Sequence, residues 1–309
     1  MNLQEFFFPV KFFLKTICKK IFLSILSSFG VLWLIVEIGT YFLGETSSII
    51  IGIKEHWLIF LIMGLLIAII FGKPKFTIGG KLNNRDISVE ISIGDFFKQN
   101  GALVISSNTT FDTHISKDLI SERSIQGQFT KQLYYGDEAQ LDMDISNGLQ
   151  DIQPITLTGK RIGKNKKYPI GTTVRLNPKN KTAYMLAIAN INEYGVASAS
   201  YEDLKQALAY LWLFIGSRGL KDNIVIPVIG TGFSRLPQPR EEIIREIIKS
   251  YIAACSEFTF SDKLTIIISP SDYEKYKMNL DELESFITHL CKYNVFSNNI
   301  ERNGQQIET

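Results

Sequence analysis

Residues Asn223–Ile248 read NIVIPVIGTGFSRLPQPREEIIREII. An apolar run, Asn223–Ile229, stops at Gly230-Thr231-Gly232 and passes through a short loop holding Pro237 and Pro239. It then becomes a helical pattern, Glu241–Cys255, with Ile243, Ile244, Ile247, Ile248 and Tyr251 on one face. This is a buried strand, a glycine turn and an amphipathic helix in succession.

The same alternation extends in both directions. Asp86–Ile93 and Ala102–Ser106 read as strands, as do Thr172–Leu176, Ala183–Ala189 and Lys263–Ser269. Tyr201–Ile215 and Leu280–Tyr293 read as helices, and Ile115–Tyr134 as a weaker, partly helical stretch. Strands alternating with helices predict an α/β domain over residues 80–292, a mixed sheet sandwiched by helices. Ligands of such folds lie outside the carboxyl ends of the strands. The Gly-Thr-Gly junction therefore has two readings. It is a plain strand-to-helix turn, or an anion site where backbone N–H groups approach a ligand near a helix N-terminus. No Gly-Lys-Ser/Thr follows, so it is not a phosphate loop of the Walker type. The acidic segment Gly136–Asp151 fits an insertion, a lid or an interface equally. Residues 293–309 form a polar tail expected to be disordered.

The N-terminal quarter differs in kind. Ile21–Leu43 is apolar for long enough to cross a bilayer, with Glu37 its one charge. Trp57–Phe71 is a second, shorter apolar run, with Ile49–Ile53 just before it. The expectation is a two-pass transmembrane helical hairpin over residues 1–74. Lys11, Lys15, Lys19 and Lys20 precede the first run, and Lys73, Lys75 and Lys81 follow the second, whereas the connection holds only Lys54. The lysine bias puts both termini and the α/β domain in the cytoplasm of a cell bounded by this membrane. The span is too long for a cleaved signal peptide. Phe6–Lys20 either lies in the membrane interface or extends the first helix. Glu37 either faces a subunit contact or pore, or sits at the outer membrane boundary.

Composition narrows the chemistry. Cys18, Cys255 and Cys291 have neither metal spacing nor a disulfide framework, which suits a reducing compartment. The three histidines are isolated, so no metal site is assigned. A formal charge of +2 argues against a polyanion partner such as nucleic acid, and Arg161–Lys167 reads as a solvated basic loop.

Four short elements resemble the macro domain, the ADP-ribose-binding α/β module. Gly94-Asp95-Phe96 is similar to its Gly-Asp-Ile/Leu element. Ala102–Asn108 is similar to its strand closing on Asn-x-x-Asn, and Pro169-Ile170-Gly171 to its Pro-x-Gly. Val228–Pro237 is similar to its Ala-Ile-Ser-Thr-Gly-x-Tyr-Gly-x-Pro loop. The resemblance implies an adenine-accepting carboxylate at Asp95 beside the backbone of Phe96, and a distal-ribose contact from Asn108. It implies a pyrophosphate cradle from Gly230, Thr231, Gly232 and Phe233. Ser107, Gln126, Gly127, Ser234 and Arg235 complete the implied ligand lining. Without the resemblance, Asp95 is a turn residue and Asn108 an Asx turn. Arg235 and Arg240 either add charge against an anion or lie exposed at the loop and helix start.

The departures are specific. The family's glycine-rich first loop is replaced by Thr109–Phe129, its second-loop tyrosine by Ser234, and the first Asn of Asn-x-x-Asn by Ile105. The hydrolytic machinery of the family is not visible, which favours a reader without catalytic residues or cofactor, with a membrane-anchored ADP-ribosyl hydrolase or another nucleotide sensor as alternatives. A membrane hairpin followed by such a domain resembles the ThsA-type effectors of Thoeris antiphage defence. The resemblance implies a bacterial inner-membrane effector whose ligand is an ADP-ribose derivative, a histidine–ADP-ribose conjugate, made by a TIR-domain partner. It also implies ligand-induced homo-oligomers, contact with membrane lipid, and cell death or arrest.

Overall fold

The computed structural model describes residues 3–83, 85–115, 119–230 and 236–293, with side chains from Lys11 onward apart from Lys54. The chain divides into two compact units, Met1–Phe76 and Thr77–Thr309. The first is all helix: α1 (Leu3–Leu43), α2 (Ser48–Glu55) and α3 (Trp57–Phe71). Helix α1 runs unbroken for 41 residues, so Phe6–Lys20 extends it rather than forming a separate element. Helix α3 lies against α1 through small residues. A Cβ on Gly64 would stand 3.0 Å from the Phe29 ring, and one on Gly72 3.1 Å from Ile21 Cα. Ala68 between them is fully buried. Side chains this small let helices approach closely where no hydrophobic force drives them together.

The two-pass expectation is met in part. Lys11–Leu43 has the length and composition of a span, and only 6% of its apolar window is buried, unlike the core helix of a soluble protein. Trp57–Phe71 has 15 residues, about 22 Å at 1.5 Å per residue, against a hydrocarbon core of about 30 Å. By length and composition one helix among the described residues qualifies alone.

Five residues, Gly72–Phe76, connect α3 to the second unit. That unit begins with β1 (Thr77–Lys81) and β2 (Ser88–Ile93), followed by β3 (Ala102–Asn108), α4 (Ile125–Leu133) and α5 (Glu138–Gly148). A two-strand ribbon of β4 (Ile155–Thr156) and β5 (Lys166–Lys167) precedes β6 (Thr173–Leu176), β7 (Ala183–Ile191) and β8 (Ala197–Ser198). Then come α6 (Tyr201–Arg218), β9 (Ile224–Pro227), α7 (Arg240–Glu257), β10 (Lys263–Ile268), α8 (Pro270–Tyr276) and α9 (Leu280–Tyr293). The sheet order is β1-β2-β10-β9-β3-β7-β6, with β8 paired to β7. Strands β2, β10, β9, β3 and β7 are mutually parallel, while β1, β6 and β8 are antiparallel.

Alternation along the strands builds two cores. Leu103 and Ile105 of β3, with Ala183, Met185 and Ala187 of β7, bury against Phe129 of α4 and Leu141 and Ile145 of α5. On the opposite face of β7, Tyr184 meets Phe214 of α6 edge-on and accepts a hydrogen bond from Leu220 N–H. Trp212, Tyr251 and Phe260 pack ring to ring beneath α6 and α7. Helix α6 starts at a capping box in which Ser200 and Asp203 exchange side-chain bonds with each other's N–H groups. The acidic Gly136–Asp151 segment is a core helix: it buries Leu141 and Ile145 and presents its acids to the loops beside it.

This topology fixes where a ligand can sit. After β3 the chain moves outward to β7 with α4 and α5 between; after β9 it moves the other way to β10 with α7 between. Strand order thus reverses between β3 and β9, the switch point where open α/β sheets open a crevice at the carboxyl ends of their strands.

Candidate functional site

Three of the sequence-predicted residues stand at strand ends on the carboxyl side of the sheet. Asp95 follows β2, Asn108 closes β3, and Gly230 follows β9. Asp95 caps a single turn at Phe96–Lys98, its Oδ1 accepting from Phe97 N–H at 3.0 Å. Its Oδ2 lies 3.8 Å from Lys98 Nζ, and the side chain is 45% exposed, which leaves that oxygen open to an incoming donor. Phe96 is buried, its ring 5.1 Å from that of Phe97.

Gly230 sits at φ +75°, and a Cβ there would stand 2.1 Å from Leu236 Cδ1. Its carbonyl accepts from Leu236 N–H at 3.1 Å, closing the base of the loop. Only glycine satisfies both demands. Thr231, Gly232, Phe233, Ser234 and Arg235 lie outside the described residues. Arg240, one helical position into α7, stacks its guanidinium 3.9 Å from the Tyr276 ring centroid.

Asn108 takes the Asx-turn role. Its Oδ1 accepts from Thr110 N–H, Thr110 Oγ1 and Asp112 N–H at 3.0–3.2 Å, and its Nδ2 donates to Asp112 Oδ2 at 3.2 Å. The carboxamide is committed to the loop that follows β3. Beside it, the hydroxyls of Ser107 and Thr109 are buried and unpartnered among the described residues. A buried hydroxyl without a partner calls for a water or ligand atom.

Where the macro family carries glycines, a buried ion-pair frame stands. Asp112 and Lys160 form a 2.9 Å pair with side chains 0% and 1% exposed. Asp112 also accepts from Thr110 Oγ1 at 2.6 Å and Lys164 N–H at 2.7 Å. Lys160 donates further to Thr110 Oγ1 and to Lys164 O. Burial pushes the Asp112 carboxyl up, but the bonds from Thr110, Lys164 and Lys160, with the Lys160 charge, outweigh it and hold its pKa below the ordinary value. Lys164 Nζ ties Phe111 O to Asp142 of α5, and Thr113 Oγ1 donates to the same carboxylate. Glu138 takes His114 Nδ1 and Ile115 N–H, both at 2.9 Å. Gly163, at φ +83°, allows the Lys160–Lys164 turn to close on Asp112; a Cβ would stand 2.4 Å from Asp112 Oδ1.

Gln126 and Gly127 belong to this frame. Gln126 Nε2 donates to Asp112 O at 2.6 Å, and Gly127 N–H to the cap Ser124 Oγ at 3.0 Å. A Cβ on Gly127 would stand 2.2 Å from Ser121 O. The solvated reading of Arg161–Lys167 does not hold for Lys164, which is one of the frame's cations. Thr110, Asp112, Lys160 and Lys164 escaped the sequence reading because partners 48 and 52 residues apart share no local pattern.

The family model described as "Thoeris protein ThsA, Macro domain" matches residues 89–269, from β2 to the residue after β10. Thoeris protein ThsA of Bacillus amyloliquefaciens (strain Y2) is 23% identical over 239 residues, 74% of this chain and 78% of that protein. Among solved structures, the Oceanobacillus iheyensis macrodomain with ADP aligns over 68% of this chain and 99% of its own, at 17% identity and a TM-score of 0.46. The same macrodomain with MES bound covers equal shares at 16% identity and a TM-score of 0.45.

Proposed function

The chain belongs to the ThsA macro-domain family of Thoeris defence effectors, and from that premise we propose that it is a membrane-anchored receptor for a nucleotide signal. The signal is an ADP-ribose derivative, a histidine–ADP-ribose conjugate, released by a TIR-domain partner that consumes NAD. Binding assembles copies of the chain, and the assembled hairpins breach the cell membrane from its cytoplasmic side.

The observation that supports this reading is that Asp95, Gly230 and Asn108 all lie at the carboxyl ends of parallel strands, Gly230 and Asn108 on the two strands that flank the switch point. A half-exposed carboxylate suits an adenine amino group, since charged acceptors make the stronger bonds. The positive-φ glycine after β9 opens a backbone path to a pyrophosphate. The buried Asp112–Lys160 frame braces the wall beyond Asn108, and the Asn108 carboxamide is tied to that wall, its Oδ1 by three donors and its Nδ2 through Asp112. That supports a reader over a hydrolase. A ligand drives assembly only by binding one state better than the other.

The test is calorimetry on the full chain in lipid nanodiscs, titrated with NAD, ADP-ribose, cyclic ADP-ribose isomers and histidine–ADP-ribose. The expected result is tight binding of the conjugate, intact on recovery, and lost in Asp95→Ala. Recovery of cleaved ligand would replace the receptor by a hydrolase. Absence of binding by the whole panel would refute the ligand class.

A further inference from the structure

The packing of α1 on α3 sets a register that places the polar residues of the hairpin. Gly64 faces Phe29 and Leu32, and Gly72 faces Ile21 and Ser24. Eight residues along α3 thus match about eight along α1, so facing positions sum to roughly 94–95 for two antiparallel helices of equal rise. Gly72 faces Ile21, so Lys73 and Lys75, just after α3, follow the end of the pair at which Lys19 and Lys20 stand on α1. At the other end, Trp57 stands level with Glu37, and His56 with the residue after it.

Helix α2 departs from that register. Continued straight, its Ile50 would lie level with residues 44–45, yet Ile50 Cδ1 is 3.7 Å from the Cβ position of Gly39 and its side chain is 1% exposed. The break falls at His56, where backbone angles of −110° and 35° end α2 and begin α3. Helix α2 therefore folds across the end of the pair. Glu37, Glu55 and His56 collect at one level, with the exposed apolar residues Tyr41, Phe42, Ile49 and Ile51 beyond it.

We propose that the far hydrocarbon boundary runs through Glu37 and His56. The bilayer is then crossed by two segments of near-equal, short length, Ile21–Val36 and Trp57–Phe71, and the tip from Ile38 to Glu55 rests among the headgroups of the far leaflet. The partner this surface fits is a locally thinned bilayer. Each segment is about 22–24 Å long against about 30 Å of hydrocarbon, and a short span is accommodated by thinning or by clustering. A boundary at Leu43 would instead hold three ionisable groups inside hydrocarbon, where such groups are rare and costly. The apolar tip with a polar edge matches an interfacial segment.

This rests on the reading that the first unit occupies a membrane, and the experiment separates the two. Nitroxide labels are placed on single cysteines of the full chain in phosphatidylcholine vesicles. Cys18→Ser removes the exposed native thiol, while Cys255 and Cys291 are buried with thiol pKa raised by that burial, Cys255 to about 11. Label depth is read from collision with oxygen and with a water-soluble nickel chelate. The expected result is that labels at Glu37→Cys and His56→Cys share one depth at the headgroup boundary, with Tyr41→Cys no deeper and Gly30→Cys and Leu66→Cys near the midplane. Ile38→Cys, which retains the carboxylate, reads the same boundary should Glu37→Cys fail to insert. Oxygen-rich, nickel-poor readings at 37, 38 and 56 matching Leu66 would overturn the proposal. Nickel-rich readings at Gly30 and Leu66 would instead remove the hairpin from the membrane, and the membrane part of the proposed function with it.

Discussion

At the scale of single residues, the Asp112–Lys160 pair is the most demanding feature of the second unit. Both side chains are out of water, so removing one partner strands a charge. Lys160→Met is expected to lower unfolding free energy by about 3–5 kcal/mol, measured by denaturant titration of the second unit. The double variant Lys160→Met/Asp112→Asn should recover part of that loss, because no charge is then left unpaired. The Asp112 pKa is depressed in the folded state. Its stabilisation is therefore complete above the unfolded carboxylate value, about 4, and disappears as pH falls through the lower folded value. The stability difference between wild type and Asp112→Asn should shrink over that acid window; a difference independent of pH would mean the carboxyl is not the charged partner. At Gly230, alanine would meet Leu236 at a backbone angle L-residues avoid. Gly230→Ala should weaken ligand binding at least about tenfold, equivalent to about 1.4 kcal/mol, by calorimetry. Of these residues the sequence disclosed Asp95, Asn108 and Gly230, because each sits where a strand pattern ends. It could not disclose that Asn108 turns its amide inward. That depends on Thr110 and Asp112 folding back within one turn, which no periodicity records.

At the scale of elements, β3, β7, β9 and β10 were legible because they are buried almost throughout and read as apolar runs of the right length, and β2 because its buried residues alternate with half-buried ones. Helices α6, α7 and α9 were legible from their apolar stripes. Helix α5 was not: with Glu138, Asp142 and Asp144 its segment fitted an insertion, a lid or an interface equally. In the fold they receive His114, Lys164 and Tyr134, while Leu141 and Ile145 alone reach the core. The Tyr134 hydroxyl has its pKa raised by burial, then by the Asp144 carboxylate it donates to. Leu141→Ala should destabilise the second unit by about 2–5 kcal/mol, seen as a lowered denaturation midpoint with unchanged slope. An effect within noise would mean α5 is a surface insertion after all. The short strands β4, β5 and β8 and the one-turn cap at Phe96 carry too few residues for any pattern to show.

At the scale of the whole molecule, the proposed function divides sensing and action between the two units. The piece beginning at Thr77 should bind ligand with the affinity of the full chain and fail to permeabilise liposomes that the full chain permeabilises with ligand. Leakage caused by the truncated piece would move the damaging activity into the macro domain. Five residues, Gly72–Phe76, join the two units, and in the proposed function they tether the sensing unit to the membrane. Sensors held this way meet one another on a surface, where the quantity governing encounter is copies per unit area rather than cytosolic concentration. The response should then sharpen as the same number of molecules is crowded onto less membrane. A cell could carry many copies spread thin and remain unharmed until a ligand turns chance neighbours into lasting ones.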